Sequence, residues 1–401
     1  MSSGSQPAFD PAWVRENPNP LAEHYREFRV AQRLLLTGHS HQAWPDRARR
    51  GLDRSWTDAA ELVDSKWERA FAATERVQEG YRRLLGGPEG PITLSQSTHD
   101  LLVRLFSALD WKERPRAVTT DREFYSARRQ LLRMAEEGIE VDWIPAEPVD
   151  EVGERLAEAV DDRTAVCLVS TVFFSTGEIA GDLRPTLAAC RQHGAILVLD
   201  VYHHLNVLPL DLQDAGLDEA YVVGGGYKYC QLGEGNAFLR TPPDCALRPV
   251  ATGWFAAFDS RSRMPEGEVP YGPGYHRFMG GTFDPVSHYR GAAVFDFFRD
   301  LEMAPEKLRK ASQWQVGRLR ERFDLLDLPP DRIRRPDVPL ERQGGFLALE
   351  APRAAEIRAE LLERGVYTDS RRTTLRLGPA PYLSRSQLDD AVEALAEVVG
   401  R

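Results

Sequence analysis

The sequence predicts an α/β fold built on a mostly parallel sheet, with a smaller α+β domain at its C-terminal end, and three observations carry this. Continuous apolar runs recur between about residues 117 and 226, helical patterns separate them, and the pattern changes near residue 290. Strands read as unbroken apolar runs when helices cover both faces of a sheet, the usual state of parallel sheets. The chain's 401 residues exceed the ~250–300 at which a single core stops growing, so two domains are expected.

Taken in order, the chain opens with a Pro-rich start, expected as an arm or segment over 1–45 that ends in LLLTGHSHQAWP. From Asp46 to Leu85, Leu, Trp, Phe and Val recur at helical spacing, so helices precede the sheet. The run TLSQST then turns a strand into a helix. The strands expected next are AVTTD (117–121), VDWIPA (141–146), TAVCLVSTVFF (164–174), AILVLDVYH (195–203) and AYVVGGG (220–226), with helices such as RPTLAACRQHG between several of them. After GGTFDPVSHYRGAAVFDFF come a long helical segment, the Pro-rich linker LPPDRIRRPDVPL, GGFLALE, a helix to Arg364, TTLRLGP and a last helix. This pattern assigns 46–288 to the large domain and 289–401 to the small one.

Composition narrows the function. A formal charge of −10 repels phosphate backbones, and no block of Lys and Arg is interleaved with aromatics, so a nucleic-acid partner is not expected. No apolar run reaches the ~20 residues that cross a bilayer, and the start has no apolar core of signal-peptide length, so the expected location is the cytoplasm. Cys167, Cys190, Cys230 and Cys245 form no CxxC pair and are read as reduced thiols, and no metal site is expected.

Ligands of such sheets bind at the carboxyl ends of the strands. There the chain places Asp200, then Gly224, Gly225, Gly226, Tyr227 and Lys228 after the following strand, and Ser97 and Thr98 at a helix start. The glycines invite a phosphate-loop reading, but the GxxxxGK[ST] spacing is absent. Pyridoxal 5′-phosphate (PLP) asks a protein for a lysine, an acid at the pyridine nitrogen, phosphate donors and a flat face for the ring. An Asp 28 positions before a Lys, each following a strand of one sheet, can hold the pyridine nitrogen protonated. Taken singly, Asp200 also reads as a helix cap and Lys228 as a surface residue.

The run DVYHHLNVLPLDLQDAGLDEAYVVGGGYKYCQLGEGNAFLR, from Asp200 to Arg240, resembles the cofactor segment of kynureninase-like enzymes in the class V aminotransferase superfamily, with D-x-x-H, P-L-D-L and Y-K-Y in order. The resemblance extends, more thinly, over most of the chain. It implies a fold-type I PLP enzyme with a large domain around a seven-stranded-type sheet, and a homodimer. By position, Lys228 resembles the Schiff-base lysine, Asp200 the pyridinium partner, His203 the histidine near the ring oxygen and Tyr227 the tyrosine at the phosphate. SQSTHD resembles the phosphate-cup turn, so Ser97, Thr98 and the backbone of a helix start would hold the phosphate. Phe124 stands at the place of a ring-stacking Phe, with Tyr125 as the fallback.

Trp254 in GWF and Thr282 in GGT resemble elements that reach the phosphate region of a neighbouring subunit, which implies sites shared across a dimer. Arg376 in TLRLGPAPYL resembles the arginine that grips the substrate carboxylate, a task suited to its planar fork of donors. His39 and Ser40 occupy the place of a Gly-Asn-Ser stretch and are expected at the substrate.

The chain departs from the family's pocket pattern at several points. Thr282 stands for Asn, no histidine lies near Val63 and Asp64, Ser175 stands for Tyr, and Ala127 for an acid. The resemblance therefore implies hydrolytic cleavage of kynurenine or a related β-substituted amino acid, with transamination or β-elimination on the same scaffold as the alternative. A cysteine desulfurase is disfavoured because 320–345 contains no Cys. A non-catalytic PLP-binding regulatory protein is the reading from another class, and turnover of any amino acid separates the two.

Overall fold

The computed structural model describes residues 7–263, 267 and 269–400. Ahead of the main sheet lie β1 (Leu34–Leu35), α1 (Ala48–Leu62) and α2 (Trp67–Leu84). The helical stretch expected from Asp46 to Leu85 breaks at Val63, which has φ +48°, an uncommon conformation for a β-branched residue.

The main sheet contains β2 (Ile92–Ser95), β3 (Arg116–Thr120), β4 (Glu140–Ile144), β5 (Thr164–Ser170), β6 (Ile196–Asp200), β7 (Tyr221–Gly225) and β8 (Ala237–Arg240) in the spatial order β2-β8-β7-β6-β5-β3-β4. Neighbours from β4 through β7 are parallel, and β8 runs antiparallel to both β7 and β2. Between the strands lie α3 (Thr98–Phe106), α4 (Tyr125–Glu136), α5 (Val152–Ala159) and α6 (Arg184–His193). Every residue of β5 is buried. Val166 and Leu168 share a core with Leu101, Leu105 and Leu131, while Cys167 and Val169 belong to a second core with Leu156, Leu187 and Cys190. Burial on both faces is why this strand reads as one apolar run.

The expected 164–174 strand ends early, at Ser170. Beyond it Val172 bridges Ile179, and the Phe173 N–H donates to the Glu178 carbonyl, so the apolar run continues into a turn.

The C-terminal elements are α7 (Val286–Asp300), α8 (Pro305–Asp324), β9 (Leu347–Glu350), α9 (Ala354–Glu363), β10 (Val366–Tyr367), β11 (Asp369–Arg371), β12 (Thr374–Leu377) and α10 (Arg385–Val399). β11, β12 and β9 form an antiparallel sheet, against which α8 and α9 pack, with α10 against both helices. Because α7 packs on α1 and α2, and the expected boundary at 288–289 falls inside it, we propose that the small domain begins at α8.

From Phe9 onward the N-terminal segment is packed against the C-terminal elements. Its residues 1–6 lie outside the described residues, but Phe9, Val14, Leu21 and Tyr25 are fully buried. The Asn19 side chain donates to the carbonyls of Pro381 (2.8 Å) and Leu383 (3.0 Å), and β1 pairs in parallel with β10. The segment is apolar enough to join the C-terminal core, a pairing that sequence spacing does not reveal. Among the described residues, no helix is long and apolar enough to cross a membrane.

Candidate active site

Parallel strands bring their carboxyl ends to one edge, and Asp200 at the end of β6, Ser170 at the end of β5 and Tyr227 and Lys228 just after β7 meet there. The start of α3 completes a cavity of about 260 Å³, lined among others by Ser97, Thr98, Phe124, His203 and Gly235. A larger groove of about 580 Å³ between α2 and α7 contains none of the expected site residues. The glycines before Lys228 allow close packing: a Cβ on Gly225 would lie 2.3 Å from the Tyr202 hydroxyl, and one on Gly226 2.6 Å from the Leu232 side chain.

Lys228 is buried, and its Nζ lies 2.7 Å from His203 Nε2. It also sits over the rings of Tyr202 (4.5 Å), Phe124 (5.3 Å) and Tyr227 (5.7 Å). Burial pulls the amine down to about 7, Asp200 works against that, and Arg376 adds to it. Burial and the nearby Lys228 hold His203 well below the usual imidazole range, so it is neutral and its Nε2 can accept from Lys228. His203 Nδ1 is buried with no hydrogen-bond partner.

Asp200 Oδ1 accepts from the Tyr202 N–H at 2.9 Å. Burial raises this carboxyl, while that hydrogen bond and the charge of Lys228 lower it. Tyr227 contacts Tyr202 at 4.8 Å, and His41 stacks on it at 4.8 Å with 18° between the planes. Burial and then Asp200 raise its phenol, which therefore keeps its proton.

Ser97 caps α3, its hydroxyl accepting from the Asp100 N–H at 3.2 Å, and Thr98 is the first helical residue. The N–H groups of a helix start, with the positive end of its dipole, suit a phosphate. Phe124 lines the cavity and meets Phe174 edge-on at 5.3 Å, whereas Tyr125 is exposed and outside the lining.

Five expected residues lie outside the lining of this cavity. Arg376, on β12, is buried, with Nη1 donating to the Phe174 carbonyl (2.5 Å) and Nη2 to Asp369 Oδ2 (2.6 Å), which leaves Nε without a partner. His39 is fully buried and packs on Phe346 at 4.7 Å, with its Nε2 3.8 Å from Asp369 Oδ2. Burial, Arg376 and Lys228 hold His39 well below its usual range. Trp254, 44% exposed, donates from Nε1 to Thr282 Oγ1 at 3.1 Å, and neither lines the cavity of its own chain. Ser40 also lies outside the lining, its hydroxyl 3.2 Å from His41 Nδ1.

The cavity also contains residues that sequence reasoning passed over: Ser170, Tyr202, Phe174 and Glu234. Tyr202 was findable, since it lies between Asp200 and His203; Ser170 and Glu234 adjoin no residue that the sequence singles out.

The profile described as Aminotransferase class-V matches residues 59–334, and that of the Kynureninase C-terminal domain matches residues 329–395. Kynureninase of Pseudomonas fluorescens is 28% identical over 376 residues, covering 88% of this chain and 82% of that protein. Kynureninase of Burkholderia pseudomallei is 27% identical over 415 residues, covering 97% and 94%. Among solved structures, the cystine C-S lyase C-DES in complex with cysteine persulfide superposes with a TM-score of 0.79 at 17% identity, covering 92% of this chain and 98% of that one. That likeness speaks for the fold, which is fold-type I.

Proposed function

Because the chain belongs to the class-V aminotransferase family, we propose that it is a kynureninase-like hydrolase that cleaves the Cβ–Cγ bond of kynurenine or a related β-substituted amino acid. Its cofactor is pyridoxal 5′-phosphate. The cavity's own chemistry suits that group: a buried amine at Lys228, a buried carboxyl at Asp200, an aromatic face at Phe124, an unpartnered His203 Nδ1 and a helix start at Ser97. Bound there, the cofactor supplies an electron sink for charge on the substrate's α-carbon.

The protein's residues divide the remaining work. Lys228 would hold the cofactor through its amine and, once the substrate's amine has displaced it, would take the α-proton; burial lowers the free amine to about 7. Asp200 keeps the ring nitrogen protonated by a charge-assisted hydrogen bond. Tyr227 retains its proton at neutral pH and can give it to a leaving carbon. Ser97, Thr98 and the α3 amides hold the phosphate, and His203 stays neutral beside Lys228. Arg376 and His39 serve the substrate's polar end, with Ser40 nearby; Trp254 and Thr282 reach a second subunit's site.

The observation that carries the substrate class is the kynureninase C-terminal profile over residues 329–395, the stretch that contains Arg376. The test offers the PLP-loaded protein kynurenine, 3-hydroxykynurenine and a panel of other amino acids. Equal amounts of alanine and an aromatic acid from the first two are expected. A 2-oxo acid formed only with amination of the cofactor would establish the aminotransferase instead, and a 2-oxo acid with release of a β-substituent the β-lyase. Ala127 and Ser175, where related pockets carry an acid and a Tyr, favour those as the second reading.

A further inference from the structure

A second buried carboxyl group stands behind Asp200. Glu123, between β3 and α4 and adjacent to Phe124, is 1% exposed. Its Oε1 accepts from Thr120 Oγ1 at 2.6 Å and from the Ser170 N–H at 3.1 Å, and its Oε2 accepts from Ser170 Oγ at 2.6 Å. Ser170 is the β-ladder partner of Asp200, and the next N–H, of Thr171, donates to the Asp200 carbonyl at 3.0 Å. Glu123 thus grips, by main chain and side chain together, the residue in register with Asp200, and the functions assigned above make no use of it.

We propose that Glu123 is a positioning residue for Asp200: it locks the Ser170–Asp200 strand pair to the loop bearing Phe124, and its charge strengthens the hold of Asp200 on a cationic ring. The inference rests on the reading of Asp200 as the partner of the cofactor's ring nitrogen.

Three donors on one carboxylate favour its anion, whereas burial opposes it. The titratable groups that face Glu123 are Asp200 on β6 and Cys167 on β5. Its sequence neighbour Arg122 turns instead to Glu147 and Glu178. Burial pushes Glu123 up to about 7, the hydrogen bonds from Ser170 and Thr120 oppose this, and the charge of Asp200 adds to it. Glu123 is therefore neutral below about 7 and anionic above. A cation bound beside Asp200 favours the anion, so binding should release the Glu123 proton and, reciprocally, the ionised form should bind the cation more tightly.

The test titrates pyridoxamine 5′-phosphate, which forms no bond to Lys228, into wild type, Glu123→Gln and Ser170→Ala at pH 6 and pH 8. Lys228 and the ligand phosphate titrate in every variant, so the difference between variants isolates Glu123. Gln can accept from the Ser170 N–H and donate to Ser170 Oγ, which preserves the packing. The affinity gain from pH 6 to pH 8 should be about fivefold larger in wild type than in Glu123→Gln. Infrared spectra of wild type should show a protonated-carboxyl band, absent from Glu123→Gln, that titrates near 7, shifts to lower pH on loading and lies at higher pH in Ser170→Ala. Equal gains in wild type and Glu123→Gln, or a band whose midpoint ignores loading, overturn the proposal alone. Failure of wild type to bind overturns it together with the cofactor reading beneath it.

Discussion

At Lys228 opposing influences set the charge of the amine. Burial favours the free base and pulls the pKa down to about 7, while Asp200 favours the ammonium. Covalent capture of PLP needs the free base, so its rate should rise with pH through about 7 and level off above roughly pH 8. Asp200→Asn removes the anion that stabilises the ammonium and should move that rise to lower pH, seen by stopped-flow absorbance; an unchanged midpoint would contradict the pairing. The same variant should still bind PLP yet lose activity by roughly two or more orders of magnitude, the scale of a lost preorganised charge, and full turnover would mean that Asp200 only caps its strand. Lys228, Asp200, His203 and Tyr227 were legible because they lie in one short run that carries its own pattern. Glu123 and Ser170 were not, because their partnership exists only through the register of β5 with β6 and the return of the loop after β3.

The elements were legible where burial on both faces leaves an unbroken apolar run, as in β5, β6 and β7. β8 has four residues and ends in Arg240, a buried cation that donates to the carbonyls of Glu89 and Ala220, so no apolar period announced it. The division of the 46–85 stretch at Val63 was hidden for a similar reason, since Val carries no breaker signal. The α3 start permits a test of element and ligand separately. Ser97 caps the helix, and Asp is as good a cap, worth about 1 kcal/mol over Ala. Ser97→Asp should leave the urea unfolding of the PLP-free protein close to wild type, because a carboxylate also suits the helix dipole. It should weaken PLP binding by at least about tenfold through like-charge repulsion with the phosphate. Ser97→Ala should do the reverse in unfolding, losing the cap. Undiminished PLP affinity in Ser97→Asp would place the phosphate elsewhere.

At the scale of the whole molecule, Trp254 and Thr282 lie on the surface of the chain, joined to each other and away from their own cavity. An aromatic cluster of Trp67, Phe71, Phe255 and Phe283 supports them. Between Trp254 and Thr282, residues 264–266 and 268 lie outside the described residues. We propose a homodimer in which these two residues complete the neighbouring site. Mixing Lys228→Ala with Thr282→Val should then restore up to one good site per dimer, whereas Lys228→Ala mixed with Arg376→Ala should restore none; identical outcomes, or an active monomer, would count against sharing. Each of these roles requires that the strand-end cavity capture PLP at Lys228. The most direct measurement of that capture is mass spectrometry of peptides from the PLP-loaded protein after borohydride reduction. One reduced pyridoxyl phosphate group per chain is expected, on the peptide containing Lys228, and none in Lys228→Ala. A protein left unmodified, or modified on another lysine with Lys228 untouched, would contradict it.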